Sequence, residues 1–219
     1  MGDRNRTGAR PAEPPAPSAT RPEPRVQRRR GEHLVHAIED AAVAEAADVG
    51  AGRLTMEGIA RRAGAAKTSL YRRWSSPEDI LIDALYRRFP QESPSPSADD
   101  LRGDLIRALR LMRDSLTSDP LGKAMVSVIA ESFRRADLFD ALWERVFHPR
   151  GGRFTRTVLL HYAERGHLDP ARLTPVVVDI GEALMAKYAF DHQQAPPDEY
   201  IAAIVDQAIL PAVGASPAS

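Results

Sequence analysis

The sequence predicts an all-α protein: an N-terminal three-helix head built around a helix-turn-helix, followed by an α-helical bundle. Three observations predict it. Every long apolar pattern in the chain recurs at helical period, and none alternates as a strand would. Leu54 to Leu81, LTMEGIARRAGAAKTSLYRRWSSPEDIL, divides into three short helical phrases punctuated by a glycine and by a Ser-Pro pair. The Pro- and Ser-rich stretch from Pro90 to Ser97 then separates two composition regimes. The expected layout is a tail over 1–24, a head over 25–90 with its motif at about 54–74, a linker over 91–97 and a body over 98–213.

Residues 1–24 hold six Pro, several Arg and almost no large apolar side chain. Such a segment buries too little surface to offset its ordering entropy, and it is expected to be disordered. The first helix is expected from about Arg28 to Asp48. Leu34, Ile38, Ala41, Ala42 and Glu45 follow at helical spacing in an Ala-rich run, and Gly50-Ala51-Gly52 stops it.

Thr55 can cap the second helix, with Glu57 in the first turn facing the positive end of the macrodipole. Ile59 and Ala60 give it an inward face, and Gly64 stands where a tight turn needs positive φ. A short third helix runs from about Ala66 through Arg73 and buries Leu70. Ser76 as N-cap, Pro77 at the first helical position and Glu78-Asp79 in the first turn open a fourth. It continues to Phe89, with Ile80, Leu81, Ala84 and Leu85 on one face, and links head to body.

Helix, glycine turn and short second helix make a helix-turn-helix, whose second helix enters the DNA major groove. With Leu70 inside, Lys67, Thr68 and Tyr71 fall largely on the opposite side. Together with Ser69 they offer donors to phosphates and base edges, and Arg72 or Arg73 can fork onto guanine. A solvated basic helix in an ordinary bundle is the competing reading of the same residues.

The stretch resembles the DNA-binding domain of the TetR/AcrR family of bacterial transcriptional regulators. The residues that carry the resemblance are Thr55, Ile59, Ala60, Ala63-Gly64, Lys67, Ser69-Leu70-Tyr71, Trp74, and Ser76 ahead of Glu78-Asp79-Ile80-Leu81. It covers roughly residues 28–89; beyond them only helical layout and length agree. Two positions depart. Ala66 stands where the family often has Ser, which removes a side-chain cap, and Pro77 stands where it commonly has a phosphate-binding Lys. Thr55 is counted with Lys67, Thr68, Ser69, Tyr71, Arg72 and Arg73 in the expected DNA-contacting set.

Helices of the body are expected over Asp99–Thr117, Leu121–Phe133, Leu138 to about His148, Arg153–Arg165, Pro175–Phe190 and Pro197–Val213, with Pro149 and Gly151-Gly152 breaking the path. The resemblance implies an effector cavity among them. Met112, Met125, Ile129, Phe133, Trp143, Phe147, Tyr162, Met185 and Tyr188 are expected to line it, since flexible Met and large aromatics suit an adaptable apolar pocket. For any one of them, plain core is the alternative. Val177, Ile180 and Leu184 in one of the last two helices, and Ile201, Ile204, Val205, Ala208 and Ile209 in the other, make broad apolar faces. Those eight are expected to form an isologous four-helix dimer interface, an arrangement the resemblance also implies.

Composition narrows the function classes. The chain of 219 residues has no Cys, which removes disulfides, thiolate zinc sites and cysteine nucleophiles. No apolar run reaches the roughly 18 residues of a membrane span, and the N-terminus has no apolar signal core, so a cytoplasmic protein is expected. Net charge is zero, yet residues 1–90 carry 16 Lys/Arg against 12 Asp/Glu and residues 91–219 carry 14 against 18. A basic front and an acidic rear suit a DNA head on a body that stays off the phosphates. His33 and His36 could face one way on the first helix, but without a third ligand they are expected to be solvated rather than metal-bound. No phosphate loop, GxSxG elbow or HExxH occurs, so no catalysis and no cofactor are expected. The expected function is a homodimeric, effector-responsive repressor that binds operator DNA and no membrane. The alternative is a helical scaffold or binding module that has lost specific DNA recognition.

Overall fold

The computed structural model describes residues 24–148 and 153–215, with the side chains of residues 24–30 left aside. The tail expected to be disordered lies outside those residues except for Pro24, and so do Pro149 and Gly151-Gly152. Among the described residues all regular structure is helical.

Helix α1 spans Pro24–Val49 and begins before the expected Arg28. A 3₁₀ turn at Ala51–Arg53 leads into α2 (Met56–Ala63), then α3 (Lys67–Tyr71) and α4 (Pro77–Arg88). The body contains α5 (Leu101–Thr117), α6 (Leu121–Ser132) and α7 (Ala136–Leu142). A π-helical turn, Trp143–Phe147, prolongs α7. Then come α8 (Phe154–Glu164) and α9 (Pro175–His192). The last rod starts as α10 (Asp198–Ile204), widens into a π-helical turn at Val205–Ile209 and ends with Leu210–Val213.

The caps explain the boundaries. Asp100 accepts from Gly103 N at the start of α5, and Thr174 accepts from Val177 N ahead of Pro175 in α9. Residues at positive φ, Gly64 and Gly214, end α2 and the last rod.

Helix α1 packs on α2 and α4 within the head and on α6 of the body. Its buried Val35, Ile38, Ala42 and Val43 join a core that runs without a break through Leu70, Ile80 and Leu85 to Leu105, Leu109, Val128, Leu159 and Val213. The head is therefore not an independently packed unit. Ala51 N also donates to Ser127 Oγ on α6 at 3.2 Å.

The segment expected as a linker has no helix, but it is pinned down. Ser95 N donates to Asp104 Oδ2 at 2.8 Å, His161 Nε2 lies 2.7 Å from the Ser95 carbonyl oxygen, and Arg165 Nε donates to the Pro96 carbonyl. Ala98 is buried at φ 53°.

Candidate DNA interface and effector clefts

The head is built from its caps inward. Thr55 Oγ1 accepts from Gly58 N at 3.0 Å, so the hydroxyl expected near DNA also fixes the start of α2. Gly64 takes φ 61° and lets the chain turn sharply into α3. Ala66 offers no side-chain cap, as its methyl dictates. Leu70 and Trp74 anchor α3 in the core. On the outer side Tyr71 is 60% exposed, and Lys67, Thr68, Arg72 and Arg73 are exposed with it. Ser69 is half-buried.

Arg72 and Arg73 make no ion pair or hydrogen bond to the described residues. Lys67 pairs with Glu57 of the first turn of α2. To meet a phosphate, that ammonium must exchange one anion for another.

The first turn of α4 departs from what the resemblance implies. Ser76 caps it and Pro77 occupies the first position, as the sequence predicts. Its carboxylates are engaged by the body instead of standing near a phosphate-binding Lys. Arg135 Nη1 donates to Glu78 Oε1 at 2.6 Å. Arg145, in the π turn after α7, forks onto Asp79 Oδ1 at 2.9 Å and Asp83 Oδ1 at 2.6 Å. Trp74 Nε1 donates to the other oxygen of Asp83 at 2.8 Å. The Ser75 hydroxyl, and after it Arg145, hold the Asp79 carboxyl below its ordinary range against an opposing contribution from burial. Sequence reasoning missed Arg135 and Arg145; three acids on one short helix, at 78, 79 and 83, were the available signal.

The nine residues expected to line one cavity do not surround one. Met125 is core, and Ile129 is half-buried against it. Phe133, at the C-cap of α6 where the helix face ends, is 86% exposed and lines nothing. Tyr162 is buried as a structural group: its hydroxyl donates to Asp104 Oδ2 at 2.8 Å and accepts from Asp100 N at 2.9 Å. Tyr188 meets the rings of His192 and Tyr200 at a tilt. Met112 and Met185 line a groove of about 230 Å³ with Leu116, Val126, Ala189 and Pro196.

Trp143 and Phe147 line a separate cleft of about 430 Å³ with His148, Arg153, Arg156, Thr157 and Leu160. Aromatic contacts run from this cleft to the head. Phe139 stacks on Trp143, Trp143 meets Phe147 edge-on at 6.0 Å, and Phe147 meets Phe89 at 5.5 Å. Phe89 is the C-cap residue of α4.

The eight residues expected at a dimer interface also divide. Ile201, Ile204, Val205 and Ile209 are buried inside the protomer and cannot meet a partner. Val177, Ile180, Leu184 and Ala208 are half-buried. Helix α9 is apolar on nearly every side, so its sequence does not single out a buried face. The face it leaves open carries Val176 and Phe190, each 76% exposed, with Ala183 between them.

Among the described residues no helix is long and apolar enough to cross a membrane, and no cluster of three metal-ligating side chains occurs. His36 Nε2 instead lies 3.3 Å from Arg87 Nη1.

Known proteins share this architecture. An uncharacterised HTH-type transcriptional regulator of Mycobacterium bovis is 25% identical over 164 residues, covering 75% of this chain and 80% of its own. The HTH-type transcriptional regulator AqdR of Rhodococcus erythropolis is 36% identical over 98 residues, covering 44% of this chain and 46% of its own. Among solved structures, the TetR family transcription regulator SCO0332 superposes with a TM-score of 0.58 at 24% identity, over 81% of this chain and 95% of that one. A TetR-family transcriptional regulator from Mesorhizobium loti does so with a TM-score of 0.55 at 18% identity, over 84% and 97%. These two likenesses are of fold. Residues 38–84 match the family model described as bacterial regulatory proteins, tetR family, and residues 95–208 match the tetracyclin repressor-like C-terminal domain. The chain thus belongs to the TetR family of helix-turn-helix transcriptional regulators, and is a regulator rather than an enzyme.

Proposed function

We propose that this regulator is a cytoplasmic homodimeric repressor that reads an operator through α3 and is released from it by a small apolar or amphipathic effector bound in the body. The observation that carries the DNA half is the outward face of α3. Tyr71, Arg72 and Arg73 stand exposed, and neither arginine pairs with a described residue, while Leu70 and Trp74 hold the helix rigidly from behind. Exposed, uncommitted guanidinium groups on an anchored helix suit bidentate contact with guanine. Dimerisation through the open face of α9 would set two such helices about one DNA turn apart, roughly 34–36 Å.

An effector acts by favouring the protomer arrangement that fits DNA less well, and its leverage equals its differential affinity for the two arrangements. The Arg145 fork, the Arg135–Glu78 pair and the Phe147–Phe89 contact give the body direct holds on α4. Retardation of DNA from upstream of the chain's own gene tests the reading. Specific, competitor-resistant retardation is expected. Weak, sequence-blind retardation that vanishes with modest salt would replace it with a module lacking operator recognition.

A further inference from the structure

We infer that the cleft between the π turn after α7 and helix α8 takes an anionic amphipath, a flat or chain-like apolar body ending in a carboxylate. The inference rests on the effector-responsive reading above and adds to it the site and the chemical class. The apolar wall is Trp143, Phe147 and Leu160; the polar wall is Arg153, Arg156 and Thr157, with His148 at the mouth. Among the described residues no acidic side chain lines the cleft. Its volume, about 430 Å³, falls within the ~300–1,000 Å³ usual for small-molecule sites.

The two arginines have different duties. Arg153 lies over the Trp143 ring, 4.8 Å from its centroid, and its guanidinium reaches Asp179 of α9 at 3.3 Å. That arginine is already neutralised and serves as a flat lid on the indole. Arg156 is exposed and makes no ion pair or hydrogen bond to the described residues. The acids near the site touch lining residues from outside it: Asp179 on Arg153, Glu92 on Thr157 and Glu144 on His148. An uncommitted guanidinium beside an aromatic wall binds a carboxylate through paired, charge-assisted hydrogen bonds, while the indole and Phe147 take the apolar body.

This cleft also stands where a ligand can be felt. Trp143 and Phe147 flank Arg145 in the same π turn, and Arg145 grips Asp79 and Asp83 of α4. Repacking either aromatic ring moves the segment that holds the head. The groove lined by Met112 and Met185 has Arg113 as its charged residue, and Arg113 is already bound to Asp114 and Asp198.

Calorimetry with 2-naphthoate and its neutral isostere 2-naphthamide tests the inference on the full chain. Wild type should bind the acid roughly tenfold more tightly than the amide, the size expected of a charge-assisted contact. Arg156→Gln should close that gap with thermal stability unchanged, since the side chain is exposed, and Arg156→Lys should restore part of it. Equal affinities for acid and amide, binding of neither, or an acid preference that survives Arg156→Gln would each overturn the site. Operator retardation by the ligand-free protein is measured alongside. Acid preference without retardation would sink the regulatory reading and leave the cleft standing; retardation without acid preference would do the reverse.

Discussion

Asp83 accepts from Arg145 at 2.6 Å on one oxygen while its other oxygen holds the indole N–H of Trp74, so one carboxylate of the head is shared between the recognition motif and the body. The two bonds differ in what they shelter. Trp74 is buried, and its N–H has no other acceptor among the described residues; Arg145 is partly solvated and can turn to water. Asp83→Leu should therefore cost about 1–3 kcal/mol, the penalty of a buried unpaired donor. Asp83→Asn keeps an acceptor for Trp74 and should cost under about 1 kcal/mol, because the exposed ion pair is screened. Urea unfolding of both variants measures the difference, and equal losses would show that the indole bond contributes nothing.

Operator recognition should depend on side chains that folding does not need. Tyr71→Ala or Arg72→Ala is expected to weaken specific binding by about 1–3 kcal/mol with the unfolding midpoint unmoved. Lys67→Ala should weaken all sequences alike and make the salt slope shallower by about one. Titration of operator and scrambled DNA at several salt concentrations separates the two behaviours. Full operator affinity in both the Tyr71 and Arg72 variants would displace the recognition surface from α3.

Assembly is tested best where the protomer leaves apolar surface open. Val176→Arg with Phe190→Lys should give a monomer in sedimentation while the melting temperature of the protomer holds, since both residues are 76% exposed. Ile204→Arg should instead unfold the chain, because Ile204 is buried within the protomer core. A Val176/Phe190 double variant that sediments as the wild type does would move the dimer interface off this face of α9.

One half-buried acid with a buried carboxylate oxygen sets a pH dependence. Glu182 of α9 accepts from Thr155 N at 3.0 Å on Oε1, but its Oε2 has no hydrogen-bond partner among the described residues, and burial raises its pKa above the ordinary value. A raised carboxyl pKa means that the folded chain binds the proton more tightly than the unfolded one. The group therefore destabilises the fold once it ionises, and the penalty grows as pH rises from the unfolded pKa through the folded one. Glu182→Gln should stabilise the protein by on the order of 1 kcal/mol at pH 7 and by little at pH 4. Denaturant midpoints across that range test it; a benefit that is larger in acid would reverse the assignment.

The head was legible because its signals are local. Thr55 and Ser76 as caps, Pro77 at a first helical position and Gly64 at positive φ each act within a few residues of themselves, and Leu70 has only one side to bury. The body was legible as helices but not as surfaces. Helical period says which residues share a face, not which neighbour covers it, and α9 has apolar residues on nearly every face. In the last rod the π turn at Val205–Ile209 shifts the register, which helps place Val205 and Ile209 in the core and brings Asp206 to Arg102 at 2.7 Å. Phe133 misled by composition alone: a large aromatic at a helix end has no face to belong to. Arg135 and Arg145 act across 57 to 66 residues of chain, a separation no spacing rule reaches.

The unbroken core joining α1, α4 and α6 bears on how regulators of this kind can be recombined. A biosensor made by grafting this body onto a foreign DNA-reading head, cut at Pro90, would sever α6 from the face of α1 against which it packs and strip Ala51 of its bond to Ser127. A graft that replaces only the outward side chains of α2 and α3, leaving α1 and α4 with their own body, keeps that seam intact. In this protein the unit that can be exchanged without refolding the rest is the outer surface of two short helices, not a domain.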